Sequence, residues 1–114
     1  DEQGQPCYHL FIVLTDPLPG QDFIIAVMLQ TKTQNTDDTV ILNRGDHRFI
    51  KHPTAVQYST AKYYTINKIK EAFATGDCHP DAGITPQVLQ KVREGLLASP
   101  FTVNAIRDYC KTKF

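Results

Sequence analysis

The apolar residues of this chain change their period at Thr65, and that change limits what the chain can fold into. From Tyr8 to Tyr64 they come in short runs rich in β-branched and aromatic side chains, each run broken by a turn signal. From Thr65 onward they recur at helical spacing instead. The expected class is therefore α+β, with the strands first and the helices after them. With 114 residues there is room for a single domain and one modest core.

Residues 1–6 are polar, contain Gly and Pro, and read as a loose arm. The run Tyr8 to Thr15 (Y-H-L-F-I-V-L-T) reads as a strand that ends at Asp16-Pro17. Phe23 to Leu29 reads as its hairpin partner across a long loop. Thr31 to Asp38 is a polar loop, Thr39 to Leu42 a short third strand, and Asn43-Arg44-Gly45-Asp46 its turn. Phe49-Ile50 is a brief apolar pair before Pro53, and Ala55–Tyr58 and Ala61–Tyr64 are two further short strands. Five or six short strands over about 7–64 predict a small antiparallel β-barrel.

The helical segment, 65–112, has clearer punctuation. Ile66, Ile69, Ala72 and Phe73 share one helical face, and Gly76 stops that helix. Thr85-Pro86 is an N-cap followed by proline at the first helical position, and Val88, Leu89, Val92 and Leu96 carry the second helix to about Ala98. Gly95 inside it costs about 1 kcal/mol relative to Ala and so marks a close packing contact. Ser99-Pro100 breaks the pattern, and Thr102 opens a last helix carrying Val103, Ile106, Tyr109 and Cys110.

The formal net charge is zero, but it is unevenly spread. Residues 1–42 hold six acidic side chains and one Lys, whereas 43–70 hold six basic side chains and one Asp. The basic middle suits an anion. The longest apolar run, Leu10 to Leu14, is too short to cross a bilayer, so no membrane partner is expected. The three cysteines show no C-x-x-C spacing, which argues against a disulfide framework and fits a reducing cytoplasm. A phosphate-binding Gly-rich loop, a G-x-S-x-G elbow and an H-E-x-x-H helix are all missing from the sequence, which sets aside the enzymes that need them.

The densest chemistry lies between Asn43 and Tyr58, where two arginines, a lysine and two histidines surround Asp46. Metal-free cleavage of RNA needs a base for the 2′-hydroxyl, an acid for the leaving oxygen and a cation for the phosphorane charge. Histidine suits the first two tasks because it titrates near neutrality. His9 and His52 are the candidate proton carriers, and Arg44, Asp46, His47, Arg48 and Lys51 the candidate binding residues, with no metal or cofactor expected. Tyr58, with Tyr63 and Tyr64, could stack on bases or fill the barrel. Asp46 could equally be a turn former and His52 a packing residue.

Three pieces resemble the PemK/MazF-type toxins of bacterial toxin–antitoxin modules: H-L-F-I-V-L-T-D-P at 9–17, I-I-A-V-M-L-Q-T-K-T at 24–33 and T-V-I-L-N-R-G-D-H at 39–47. The first is similar to the family's R-P-V-L-V-I strand and the second to its V-A-P-I-T-S strand end. A-V-Q-Y-S-T-A-K-Y-Y is similar to the strands that close its barrel. The resemblance covers about 7–70 and implies an SH3-like barrel, a homodimer, an antitoxin partner and metal-independent cleavage of single-stranded RNA. The family's catalytic arginine position is His9 here, and its catalytic Thr or Ser corresponds to Thr31. On that reading His9 and His52 exchange protons, Thr31 positions the scissile phosphate, and Arg48 or Lys51 offsets its charge. The alternative is an SH3-like module that binds nucleic acid or a protein without chemistry. A third reading is a structural or antitoxin-neutralised subunit whose surface mainly makes a dimer, and its sign would be apolar helix faces from 88–110 left uncovered in the monomer.

Overall fold

The computed structural model describes residues 10–15, 22–76 and 84–114. Among these residues four antiparallel strands come first, β1 (Phe11–Val13), β2 (Phe23–Thr31), β3 (Ile41–Leu42) and β4 (Thr54–Thr65). Three helices follow, α1 (Ile66–Thr75), α2 (Pro86–Ala98) and α3 (Asn104–Lys111). Among the described residues no helix is long and apolar enough to cross a membrane.

The sheet is open, in the order β1-β2-β4-β3, and not a closed barrel. The expected barrel fails because Ala55–Tyr58 and Ala61–Tyr64 are not two strands that could wrap around. They belong to one strand of 12 residues that runs beside the whole of β2. Ser59-Thr60, which read as a break, is an irregularity inside that strand: Ala26 faces Lys62 while Met28 already faces Gln57. Thr60 fills the gap in the ladder, its hydroxyl accepting from the Met28 N–H at 2.9 Å and donating to the Gln57 carbonyl at 2.6 Å. The bulge turns both Tyr58 and Ala61 into the core. The short edges β1 and β3 then lie at opposite sides of the sheet.

Helix boundaries follow the sequence signals closely. Thr65 caps α1 by accepting from the Lys68 N–H at 3.2 Å, and Gly76 closes it with φ of 81°. Thr85 caps α2 in the same way, accepting from the Val88 N–H at 3.2 Å, with Pro86 next. The last helix starts two residues later than Thr102, because the Thr102 hydroxyl is buried and donates to the Leu96 carbonyl at 2.7 Å.

The core lies between one face of the sheet and α2 with α3. Leu14, Ile25, Val27, Leu42, Val56, Tyr58, Val92 and Leu96 are all sealed from solvent there. The faces of α2 and α3 expected to stay open for a dimer are therefore covered, since Val88, Val92, Leu96, Ile106 and Cys110 are buried. The helix without a buried residue is α1.

Gly95 is where α2 comes closest to the sheet. A Cβ built there would collide with the Tyr58 hydroxyl and a Val40 methyl, and would sit 2.8 Å from Tyr58 Cζ. Only a glycine lets the helix backbone rest on that ring. Beside this contact lies a polar cluster around a buried carboxylate. Asp37, 5% exposed, accepts from the Thr39 N–H at 2.9 Å, the Thr39 hydroxyl at 2.6 Å and the Ser99 hydroxyl at 2.7 Å. Burial alone would raise the Asp37 pKa, but hydrogen bonds from Thr39 and Ser99 outweigh it and hold the carboxyl below its ordinary value. Arg107 completes the corner, donating to the Ser99 carbonyl at 2.6 Å and to the Thr102 carbonyl at 3.2 Å.

Candidate functional site

The segment from Asn43 to Pro53 links β3 to β4 as two consecutive turns. In the first, the Asp46 N–H donates to the Asn43 carbonyl at 3.0 Å, and Gly45 takes φ of 104°, a left-handed conformation that favours glycine. The Asp46 carboxylate accepts from the Asn43 N–H at 2.7 Å, which locks the turn. In the second, the Ile50 N–H donates to the His47 carbonyl at 2.9 Å and Ile50 is buried as the anchor. His47 Nδ1 accepts from the Phe49 N–H at 3.1 Å.

These turns gather the basic side chains. Arg44, Gly45, His47, Arg48, Ile50 and Lys51 line a shallow depression of about 250 Å³. Beside it Phe49 is half exposed. The Arg48 guanidinium lies over the Phe49 ring, 4.9 Å from its centroid, and the His47 ring centroid is 5.3 Å away on a tilt. An aromatic ring between cationic or imidazole groups on an exposed loop is suited to stacking and to anions, not to a core.

Of the residues the sequence singled out, the structure brings together Arg44, His47, Arg48 and Lys51 around this depression. Asp46 is not among its walls, and its carboxylate serves the turn, so a ligand-binding role is replaced by a structural one. His52 is exposed at the exit of the loop, and its carbonyl accepts from the Thr54 hydroxyl at 2.9 Å. Thr31 is exposed and directly opposite Thr54 in the sheet. The Lys32 N–H donates to the Pro53 carbonyl at 3.1 Å, so Thr31, Lys32 and His52 share one end of the β2–β4 pair. His9 lies outside the described residues, as do Cys7 and Cys78.

Tyr58 is corrected outright. It is fully buried, its hydroxyl donates to the Val92 carbonyl at 2.8 Å, and it cannot stack on a ligand. Burial, with the nearby Asp37 charge, pushes its phenol pKa up. Tyr58 shares the inward face of β4 with Val56, two residues earlier, an orientation that a period-two reading allows but does not by itself select. Sequence reasoning also passed over Phe49 as a surface group and Lys32 as a neighbour of His52. The first was readable as an apolar residue between two cations, whereas the second needs the sheet register. Comparison with protein-family models, curated proteins and solved structures gave no match.

Proposed function

We propose that the chain binds single-stranded RNA across the loop 43–52 and the adjoining end of β2–β4, and cleaves it there as a metal-independent, toxin-like endoribonuclease. The observation that carries the reading is the gathering of Arg44, Arg48 and Lys51 round one depression, next to the half-exposed Phe49. Cations that follow phosphates and a ring that accepts any base are the two requirements of single-strand binding. Thr31 and His52 lie at the neighbouring sheet end. There a hydroxyl could position a phosphate and an imidazole could move a proton. The similarity of 9–17, 24–33 and 39–47 to PemK/MazF-type toxins points the same way. On that reading the protein also has an antitoxin partner, pairs with a second copy and works in the cytoplasm.

A second reading, an RNA-binding module without chemistry, is favoured by one specific observation. The Arg48–Phe49–His47 stack is a platform that needs no proton transfer to do its work. Incubating the folded protein with single-stranded RNA, with and without EDTA, separates the readings. Cleavage in both samples is the expected result. Intact RNA that nevertheless binds in a salt-dependent way selects the second reading, and RNA neither cut nor bound ends both.

A further inference from the structure

We propose that the depression walled by Arg44, Arg48 and Lys51 seats a terminal phosphomonoester, so that the protein recognises a phosphorylated RNA end. This rests on the reading of the loop as an RNA site and names the chemical group it prefers. Among the described residues, every one lining the depression falls between Arg44 and Lys51. Among these residues it is a hollow within one loop and not a groove between separate elements, and so it suits a group at the end of a chain better than one in the middle. The buried Ile50 sits beneath it, and the turn backbone at Gly45 forms one wall.

Charge favours the same ligand. Two arginines and a lysine line one hollow. A phosphomonoester carries about −1.5 to −2 near neutrality, whereas an internal diester carries a single charge. Arginines offer paired N–H donors that match phosphate oxygens, and lysine adds a point charge. The carboxylate of Asp46, which would repel an anion, is held on the Asn43 N–H and does not line the hollow. Phe49, against Arg48 and outside the lining, lies where a terminal base could stack.

The test uses the full chain and fluorescence anisotropy with 2′-O-methyl oligonucleotides of one sequence, which cannot be cut through the 2′-hydroxyl. One carries a 5′-phosphate, one a 3′-phosphate, and one hydroxyls at both ends; a nucleoside monophosphate serves as competitor. One phosphorylated end should bind roughly tenfold more tightly than the all-hydroxyl strand, as charge-assisted hydrogen bonds to a single group would give. Arg44→Ala and Lys51→Ala should abolish that preference, while Lys113→Ala, remote from the hollow, should keep it. Equal affinity for all three strands would overturn the seat and leave the RNA reading standing. Tight binding of the monophosphate without binding of any strand would keep the seat and overturn the RNA reading. Comparing ligands on the unaltered protein keeps the result independent of how any variant folds.

Discussion

The corner where Asp37 meets Ser99 and the loop from Asn43 to His52 treat polar groups in opposite ways, although Asp37 itself comes shortly before the loop in the chain. In the corner a buried carboxylate accepts from Thr39 and Ser99. In the loop the one carboxylate is spent on a turn, and the cationic side chains face a hollow. A polar group whose partners are all supplied by its own chain holds a fold together. A surface loop rich in one sign of charge offers complementary charge to an anionic ligand. The corner is thus the scaffold and the loop the working surface.

If that division is right, substitutions in the corner should cost stability and leave RNA affinity per folded molecule alone. Asp37→Ala should have the largest effect, about 3 kcal/mol, because the Thr39 N–H and the hydroxyls of Thr39 and Ser99 all lose their acceptor. Urea unfolding measures it. The isosteric Asp37→Asn separates charge from shape. The folded-state carboxyl titrates below its unfolded value of about 3.9, so its contribution is fully present above that pH. It is lost as pH falls through the lower folded value. The midpoint of the unaltered protein should therefore drop more steeply below about pH 4 than that of Asp37→Asn.

Gly95→Ala comes next. Overpacking against Tyr58 and Val40 costs up to about 3 kcal/mol and the helix regains about 1, leaving a net loss of about 2 kcal/mol. Tyr58→Phe removes only the bond to the Val92 carbonyl, at about 1 kcal/mol. The double variant Tyr58→Phe with Gly95→Ala should be more stable than the sum of the two losses, because one change removes the hydroxyl that the other collides with. Strict additivity would show that the helix shifts instead of pressing on the ring.

How legible this was depends on the range of each interaction. Helix limits were readable because Thr65, Gly76, Thr85 and Pro86 act within one turn of themselves. Gly95 was readable as a close contact, though not its partner. The open sheet was not legible, since Ser59-Thr60 looks like a break unless the opposing Met28 is known to bond Thr60. The corner escaped for the same reason: Asp37 and Ser99 are 62 residues apart in sequence. The short spacing from Asp37 to Thr39 was the one local sign of it. In the candidate site, the cations from Arg44 to Lys51 were plain in the sequence, while the burial of Tyr58 depends on the α2 backbone packed over its ring, a contact between residues far apart in the chain.

The smallest stability effects belong to the loop, where Arg44→Ala and Lys51→Ala should each stay within about 0.5 kcal/mol of the unaltered protein. Their consequence should appear in binding. The most direct test of the division is the affinity for an uncut single-stranded 2′-O-methyl oligonucleotide, measured against salt for the unaltered protein and for each loop variant. The logarithm of affinity should fall linearly with the logarithm of salt, and each substitution should reduce that slope by about 0.7 with unfolding unchanged. An affinity that ignores both salt and these substitutions would contradict the assignment of the loop as the RNA-binding surface.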